Sequence, residues 1–194
     1  MVMPVRNGGK WLQAAADSIL AQSHDSLELI VVDDHSEDDA LARLDRSDTR
    51  LCLHKSRGQG VSAAFNTGMG LARGDFIARM DADDLALPNR IRDQLDYLAR
   101  HTDVDLCGGK VELFSAAGLA GGNQRYQAWL NGCATPDEIA RELFVESPIP
   151  NPTAFFRREA LLRLGGYRDP DWPEDYDLFL RADALGMKMG KPSA

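Results

Sequence analysis

Short apolar runs alternate with helix-length amphipathic stretches from residue 2 to about residue 98, and nothing else in the chain constrains its fold as strongly. The run at 2–5 ends in Asn7-Gly8-Gly9, a turn that can also cap a helix. Trp11, Leu12, Ala15, Ala16, Ile19 and Leu20 then share one helical face. LELIVV at 27–32 stops at Asp33-Asp34, and Ser36 with Asp39 forms a capping pair for a helix to about Arg46. A strand at 50–54 leads through the loop Arg57-Gly58-Gln59-Gly60 into a small-residue helix at 61–72. A further strand at 75–80 ends in Asp81-Ala82-Asp83-Asp84. Pro88 then opens a helix whose Ile91, Leu95 and Leu98 share a face. Strand–helix units in series predict an α/β fold of three layers, a mostly parallel sheet with helices on both faces.

The second half is less regular. Residues 104–107 and 110–114 read as strands around Gly108-Gly109, and 116–123 as a Gly/Ala-rich loop. Thr135-Pro136-Asp137-Glu138 supplies a cap, a first-turn proline and a capping-box glutamate for a helix to about Phe144. An extended Pro-rich stretch at 146–152 precedes a strand at 153–156 and a helix at 159–164 closed by Gly165-Gly166. A last helix at 175–185 stops at Gly186, and Met187-Lys188-Met189 reads as a strand cut short. With no repeat, linker or low-complexity tract, 194 residues predict one domain, and the strand starting almost at residue 1 and the one stopped short at 187–189 read as truncation at both ends, with a regular half at 1–109 and a less regular half at 110–194.

Charge narrows the partners. Twenty-two basic against 30 acidic residues give a net charge of -8, which disfavours a nucleic-acid reader, because phosphate binding draws on clustered Lys and Arg. No apolar run reaches the roughly 20 residues of a membrane span. Cys52, Cys107 and Cys133 lack metal-ligand spacing and read as reduced thiols, which points to a cytoplasmic compartment.

The acids are concentrated. Residues 25–48 carry nine Asp or Glu against two Arg, and acids end two strands, at Asp33-Asp34 and Asp81-x-Asp83-Asp84. Ligands of open parallel sheets bind outside the carboxyl ends of the strands, so both clusters should face one crevice. Gathered carboxylates repel unless a cation joins them, and hard oxygen ligands suit Mg²⁺ or Mn²⁺ held together with substrate phosphates. For Asp33-Asp34 alone a cap or turn role is the simpler reading; for Asp81 and Asp83 a metal–diphosphate site is favoured. Pro173-Glu174-Asp175-Tyr176-Asp177 places acids in a helix's first turn, where the dipole alone accounts for them. Gly58-Gln59-Gly60-Val61-Ser62-Ala63 matches a dinucleotide fingerprint formally, but His54 to Arg57 separate the strand from its first glycine.

MPVRNGGKWL, ELIVVDDHSED, GVSAAFNTGMGLARGDFIARMDADD and PEDYDLFLRA, in that order, resemble the family 2 glycosyltransferases, which have the GT-A nucleotide-diphospho-sugar transferase fold. The likeness runs from residue 2 to about 190 and thins between about 110 and 145. It implies an inverting transferase that moves a sugar from a nucleotide-diphospho-sugar, with a UDP-sugar expected, to a glycan or lipid-linked acceptor in surface polysaccharide synthesis. By that resemblance Pro4, Val5 and Arg6 line the base pocket, Asp34 accepts from the uracil ring, and Asp81 with Ala82 lies on the ribose side. Asp83 holds the divalent ion, Asp175 is the general base, and Arg57 approaches the base or phosphates. Peripheral attachment to the inner face of the membrane through segments outside this chain goes with such a role. A nucleotide-sugar binder without transfer is the alternative, and a sugar nucleotidyltransferase a weaker one, since Arg6-Asn7-Gly8-Gly9-Lys10 matches its glycine signature poorly.

Two positions depart from the family pattern. Arg6 stands where an aromatic is frequent, and Phe65 stands where many members carry Arg and reads as core. His35 reads as a solvated turn residue. Tyr126 and Trp129, in the stretch of weakest likeness, read as surface packing ahead of sugar stacking.

Overall fold

The computed structural model of the chain describes residues 1–115 and 118–193. Three parallel strands, β1 (Val2–Val5), β2 (Leu29–Asp33) and β3 (Leu51–Lys55), form one sheet in the order β1-β2-β3. Their register pairs Val2 with Ile30 and Leu29 with Leu51. A second sheet has the order β4-β6-β5-β7, from β4 (Phe76–Ala78), β5 (Leu106–Cys107), β6 (Phe155–Arg157) and β7 (Met189–Gly190). A parallel bridge between Val2 and Arg79 joins the two, with the Met80 amide donating to the Val2 carbonyl.

Alternation along the strands divides the interior in two. Val2, Ile30 and Val32 point to one face, and Met3, Val5, Leu29 and Val31 to the other. The first face is covered by α3 (Val61–Leu71), α6 (Pro136–Glu142), α7 (Arg158–Leu164) and α8 (Glu174–Ala184). The second is covered by α1 (Leu12–Leu20), α2 (Ala40–Arg43) and α4 (Arg90–Arg100). Strands buried on both faces need apolar residues throughout, which is why LIVV in β2 has no polar interruption until Asp33.

Several local expectations hold. The Thr135 hydroxyl accepts from the Glu138 amide, and the Glu138 carboxylate accepts from the Thr135 amide, closing the capping box of α6. Gly165, at φ 73°, ends α7 in the left-handed conformation. Cys107 and Cys133 are buried, Cys52 is half-buried, and all three are free thiols.

Others are corrected. The sheet is mostly parallel, but β6 runs antiparallel to both β4 and β5. Apolar periodicity carries no strand direction, and β6 is reached by the long excursion through α5 (Gly121–Gly132) and α6. Residues 110–114 are not a strand. Their backbone bonds to side chains of α5 instead: the Val111 amide donates to Asn131 Oδ1, the Leu113 amide to Gln127 Oε1, and Asn131 Nδ2 to the Val111 carbonyl. The loop expected at 116–123 gives way to α5 from Gly121, while residues 116 and 117 lie outside the described residues. The helix expected after Ser36 shrinks to four residues, because the Ser36 hydroxyl caps nothing in α2 and accepts from the Asn7 amide.

Candidate functional site

Three strands end together. The Asp34 amide donates to the Val5 carbonyl at 2.7 Å, and Met80 to the Val2 carbonyl, so the exits of β1, β2 and β4 stand side by side. Pro4, at the end of β1, and Val5 are buried, whereas Arg6 emerges into solvent. Asn7 (φ 56°) and His35 (φ 58°) turn the two loops in the left-handed region. Asn7 Oδ1 accepts from the Glu37 amide, and the Gly9 amide donates to Asp38, tying the β1 and β2 loops into one rim. Left-handed non-glycine residues gathered at a ligand edge are a known way of holding loops in fixed shape.

Asp34 is buried, and both its carboxylate oxygens accept from the Gly60 amide, at 3.0 and 3.1 Å. Gly60 caps α3, so a carboxylate of the protein already occupies the helix N-terminus where a dinucleotide fold would hold pyrophosphate. That disposes of the dinucleotide fingerprint at Gly58-Gly60. Arg57 is exposed, and its amide is already taken, donating to the Thr67 hydroxyl.

The acids after β4 separate by environment. Asp81 Oδ1 accepts from Nε and Nη2 of Arg79, at 3.1 and 2.9 Å. Ala82 is half-buried and Asp83 is exposed, with no hydrogen bond or ion pair to the Asp83 carboxylate among the described residues. Burial raises the Asp84 carboxyl above the usual aspartate range, and the charges of Asp81 and Asp83 push the same way. No cluster of three or more metal-ligating side chains exists among the described residues. The exposed carboxylate of Asp83 is of the hard-oxygen type that could hold a divalent cation openly, with the remaining positions left to water and a ligand's phosphates.

Arg79 is the residue that sequence reasoning missed. Its guanidinium is buried, 5.3 Å from the Tyr167 ring and 5.9 Å from the Phe65 ring. Nη2 also lies 3.8 Å from Glu174 Oε1, in the first turn of α8. Glu174 Oε1 accepts from Asn151 Nδ2 at 3.2 Å, and Asn151 Oδ1 accepts from the Tyr167 hydroxyl at 2.6 Å. Nη1 is buried without a partner among the described residues, a costly state for a charged donor. An arginine interrupting the apolar run Phe76–Ala78 and Met80, two residues before Asp81, was the available signal. Arg90 braces the same exit, with Nη2 donating to the Arg79 carbonyl at 2.6 Å and Nη1 to Met80 Sδ.

Contacts also separate the three acids in the first turn of α8. Asp177 is buried and pairs with Arg181 at 2.7 Å, and Arg181 in turn donates to the carbonyls of Leu164 and Gly166. Glu174 faces Arg79. Asp175 has no cation within ion-pair distance among the described residues; its Oδ1 accepts from the Tyr176 amide at 2.8 Å. Burial raises its carboxyl above the ordinary aspartate value, and the adjacent Glu174 adds to the rise. Two cavities, of about 330 Å³ beside Tyr97, His101 and Lys191 and about 300 Å³ beside Asp17 and Asp48, lie away from these acids.

Among the described residues no helix is long and apolar enough to cross a membrane. The sequence profile described as Glycosyl transferase family 2 matches residues 1–165. The putative glycosyltransferase EpsE of Bacillus subtilis is 30% identical over 189 residues, covering 93% of this chain and 65% of the relative. The O-antigen biosynthesis glycosyltransferase WbnJ of Escherichia coli is 26% identical over 185 residues, covering 93% of this chain and 70% of the relative. Among solved structures, S. aureus TarS 1-349 in complex with UDP-GlcNAc superposes with a TM-score of 0.78 at 19% identity, covering 99% of this chain and 55% of that one. The mannosyltransferase PcManGT from Pyrobaculum calidifontis, in complex with GDP-Man and Mn2+, gives 0.74 at 22% identity, with 98% and 53% coverage. At these identities the solved structures establish the GT-A architecture. The chain spans 65% of EpsE's length and about half of the two solved chains.

Proposed function

The chain belongs to glycosyl transferase family 2, and from that premise we propose that it moves a sugar from a nucleotide-diphospho-sugar to an acceptor hydroxyl with inversion at the anomeric carbon. One observation carries the reading. Arg79 holds Asp81, at the exit of β4, and faces Glu174, beside Asp175 at the start of α8, so donor-side and acceptor-side acids share one buried cation. A UDP-sugar is the proposed donor, and the relative named for O-antigen biosynthesis supports a polysaccharide setting.

Pro4 and Val5 wall the base, and the exposed guanidinium of Arg6 offers a flat face to stack on it. Asp34 is placed at the base through the Gly60 loop that it holds. Asp81 and Ala82 flank the ribose, with Arg57 on the phosphate side. Asp83 is the proposed ligand of Mg²⁺ or Mn²⁺, which when bound supplies neutralisation of the charge left on the departing diphosphate. Asp175 accepts the proton of the attacking hydroxyl. Its raised pKa brings it nearer to neutral pH, where a general base works best. A single base opposite the leaving group gives inversion, as in inverting glycosidases. The free thiols fit a reducing, cytoplasmic setting, with attachment to the inner membrane face through regions outside this chain. The whole chain is taken as one catalytic unit, 1–109 serving the donor and 110–194 the acceptor.

Thermal unfolding with UDP or GDP, with and without Mn²⁺, tests the donor site. A ligand at about 100 times its Kd stabilises by roughly 2.7 kcal/mol, or about 5–10 °C for a domain of this size. A UDP shift that needs Mn²⁺ and disappears in Asp83→Ala is the expected result. A flat response to both diphosphates with Mn²⁺ would falsify the donor reading. Nucleotide binding with no sugar release or transfer would leave a binding protein.

A further inference from the structure

The stretch of weakest family likeness folds against the acceptor-side acid. Tyr126 and Trp129 lie one turn apart on α5, their rings stacked at 5.8 Å and 23°. Trp129 is half-buried against the core, and its Nε1 donates to Glu142 Oε2 at the end of α6. The next residue, Leu143, gives its carbonyl to the Tyr176 hydroxyl at 2.7 Å, and Tyr176 follows Asp175. The end of α6 therefore touches the aromatic pair with one residue and the first turn of α8 with the next. Tyr126 is 45% exposed, and Phe144 and Val145 beyond α6 are 69% and 76% exposed. Burial pushes the Tyr126 phenol up, and the charges of Glu146 and Asp175 add to the rise.

We propose that Tyr126, backed by Trp129, is the platform on which an uncharged pyranose ring of the acceptor is held beside Asp175. The proposal rests on the transferase reading and names its acceptor class. A pyranose has an apolar C–H face and a rim of hydroxyls. An exposed aromatic face covers the first, and carboxylates such as Glu146 accept from the second. The same acids repel a phosphate, which argues against a phospholipid headgroup at this spot. Two rings lying nearly parallel present one flat face, whereas a cationic ligand is boxed by rings on several sides. The geometry thus favours a glycan terminus over a phosphate or an ammonium group.

Saturation-transfer NMR reads the contact directly, with methyl glycosides of glucose and galactose, N-acetylglucosamine and maltotriose as probes, with and without UDP and Mn²⁺. Saturation of ring C–H protons by the wild type is the expected result. Tyr126→Ala and Tyr126→Leu should weaken it about fivefold to tenfold, the range of an aromatic stacking contact, while Tyr126→Phe keeps it. All three should keep the nucleotide shift, because Tyr126 lies outside the donor site. Tyr126→Phe should keep the wild-type melting temperature, while Tyr126→Ala and Tyr126→Leu, which lose the ring contact with Trp129, should melt about a few degrees lower and stay folded. Saturation of no probe, or equal saturation in Tyr126→Ala, overturns the platform. Self-association that depends on concentration and is lost in Tyr126→Ala, with sugar signals unchanged, assigns the patch to a second copy and also overturns it. The two failures separate: a missing nucleotide shift with sugar saturation intact sinks the donor reading and leaves the sugar platform standing.

Discussion

Adding one methyl group at each of two glycines in α3 should move stability in opposite directions. Gly68 and Gly70 sit in the same helix, and each replacement by alanine gains helix propensity, worth up to about 1 kcal/mol in a helix interior. The surroundings differ. A Cβ at Gly68 would stand 2.4 Å from Val2 Cγ1 and 3.1 Å from Val32 Cγ2, while at Gly70 nothing lies within 4 Å. Val2 and Val32 are fully buried, β-branched and fixed in adjacent strands, so neither can swing aside without moving the backbone. Overpacking of this kind costs about 1–3 kcal/mol, and a separation this short belongs at the upper end. Less the propensity gain, Gly68→Ala should destabilise by about 1–2 kcal/mol, a fall of about 2–8 °C for a chain of this size. Gly70→Ala, near the helix end, should stabilise by about 0.5 kcal/mol. Urea unfolding followed by circular dichroism, with unchanged m values, reads both. The displacement at Val2 is passed along β1 toward Val5, so Gly68→Ala should also reduce the nucleotide shift. A Gly68→Ala protein as stable as wild type would refute the close packing of α3 on β1.

The remaining predictions concern charge. Asp175→Asn should lower transfer by about 10²–10⁴-fold while leaving nucleotide binding intact, as measured by release of nucleoside diphosphate. Because the folded Asp175 carboxyl is raised, the folded state holds an extra proton above the ordinary aspartate value. The stability this gives is present at low pH and lost as pH rises through the raised value. At pH 7 Asp175→Asn should therefore melt higher than wild type, with the two converging near pH 3. Arg79→Met leaves Asp81 facing Glu174 with no cation between them. Breaking a buried pair costs about 3–5 kcal/mol, but Asp81 is about a third exposed, so a loss nearer 2 kcal/mol is expected by urea titration, with Arg79→Lys intermediate. Lys191 is buried with Nζ donating to the Leu130 carbonyl, and burial lowers its pKa to about 8. Between about pH 8 and 10.5 the unfolded chain holds the extra proton, so wild type should gain stability relative to Lys191→Met as pH rises through that window. Parallel melting curves for the two proteins across it would contradict the burial of a charged lysine.

The sequence made most strands and helices of the first half legible, because β1, β2, β3, α1, α3 and α4 each carry an apolar period that burial demands, but not the short α2, whose expected cap Ser36 bonds to Asn7 instead. It also determined the capping box of α6 and the glycine stop of α7, where side chain and backbone meet within a few residues. The acids at Asp34, Asp81, Asp83 and Asp175 were legible as strand-end and helix-start residues, and the sequence blocks that carry them, taken in order, resemble the family that the profile match shows. Tertiary structure decided what depends on distant neighbours. The antiparallel course of β6 is set by the path through α5 and α6, which no local period encodes. Residues 110–114 have a strand-like sequence, yet side-chain amides of Asn131 and Gln127 take their backbone bonds before another strand can. Asp177 stands four residues before Arg181, so that pair was open to a reading of the sequence; folding adds its burial and the bonds from Arg181 to the carbonyls of Leu164 and Gly166, and it leaves Asp175 without a cation among the described residues. Arg79 shows the limit most plainly. An arginine inside an apolar strand is a local exception, and it acquires meaning only when folding buries its guanidinium and sets the partly exposed carboxylates of Asp81 and Glu174 on either side of it.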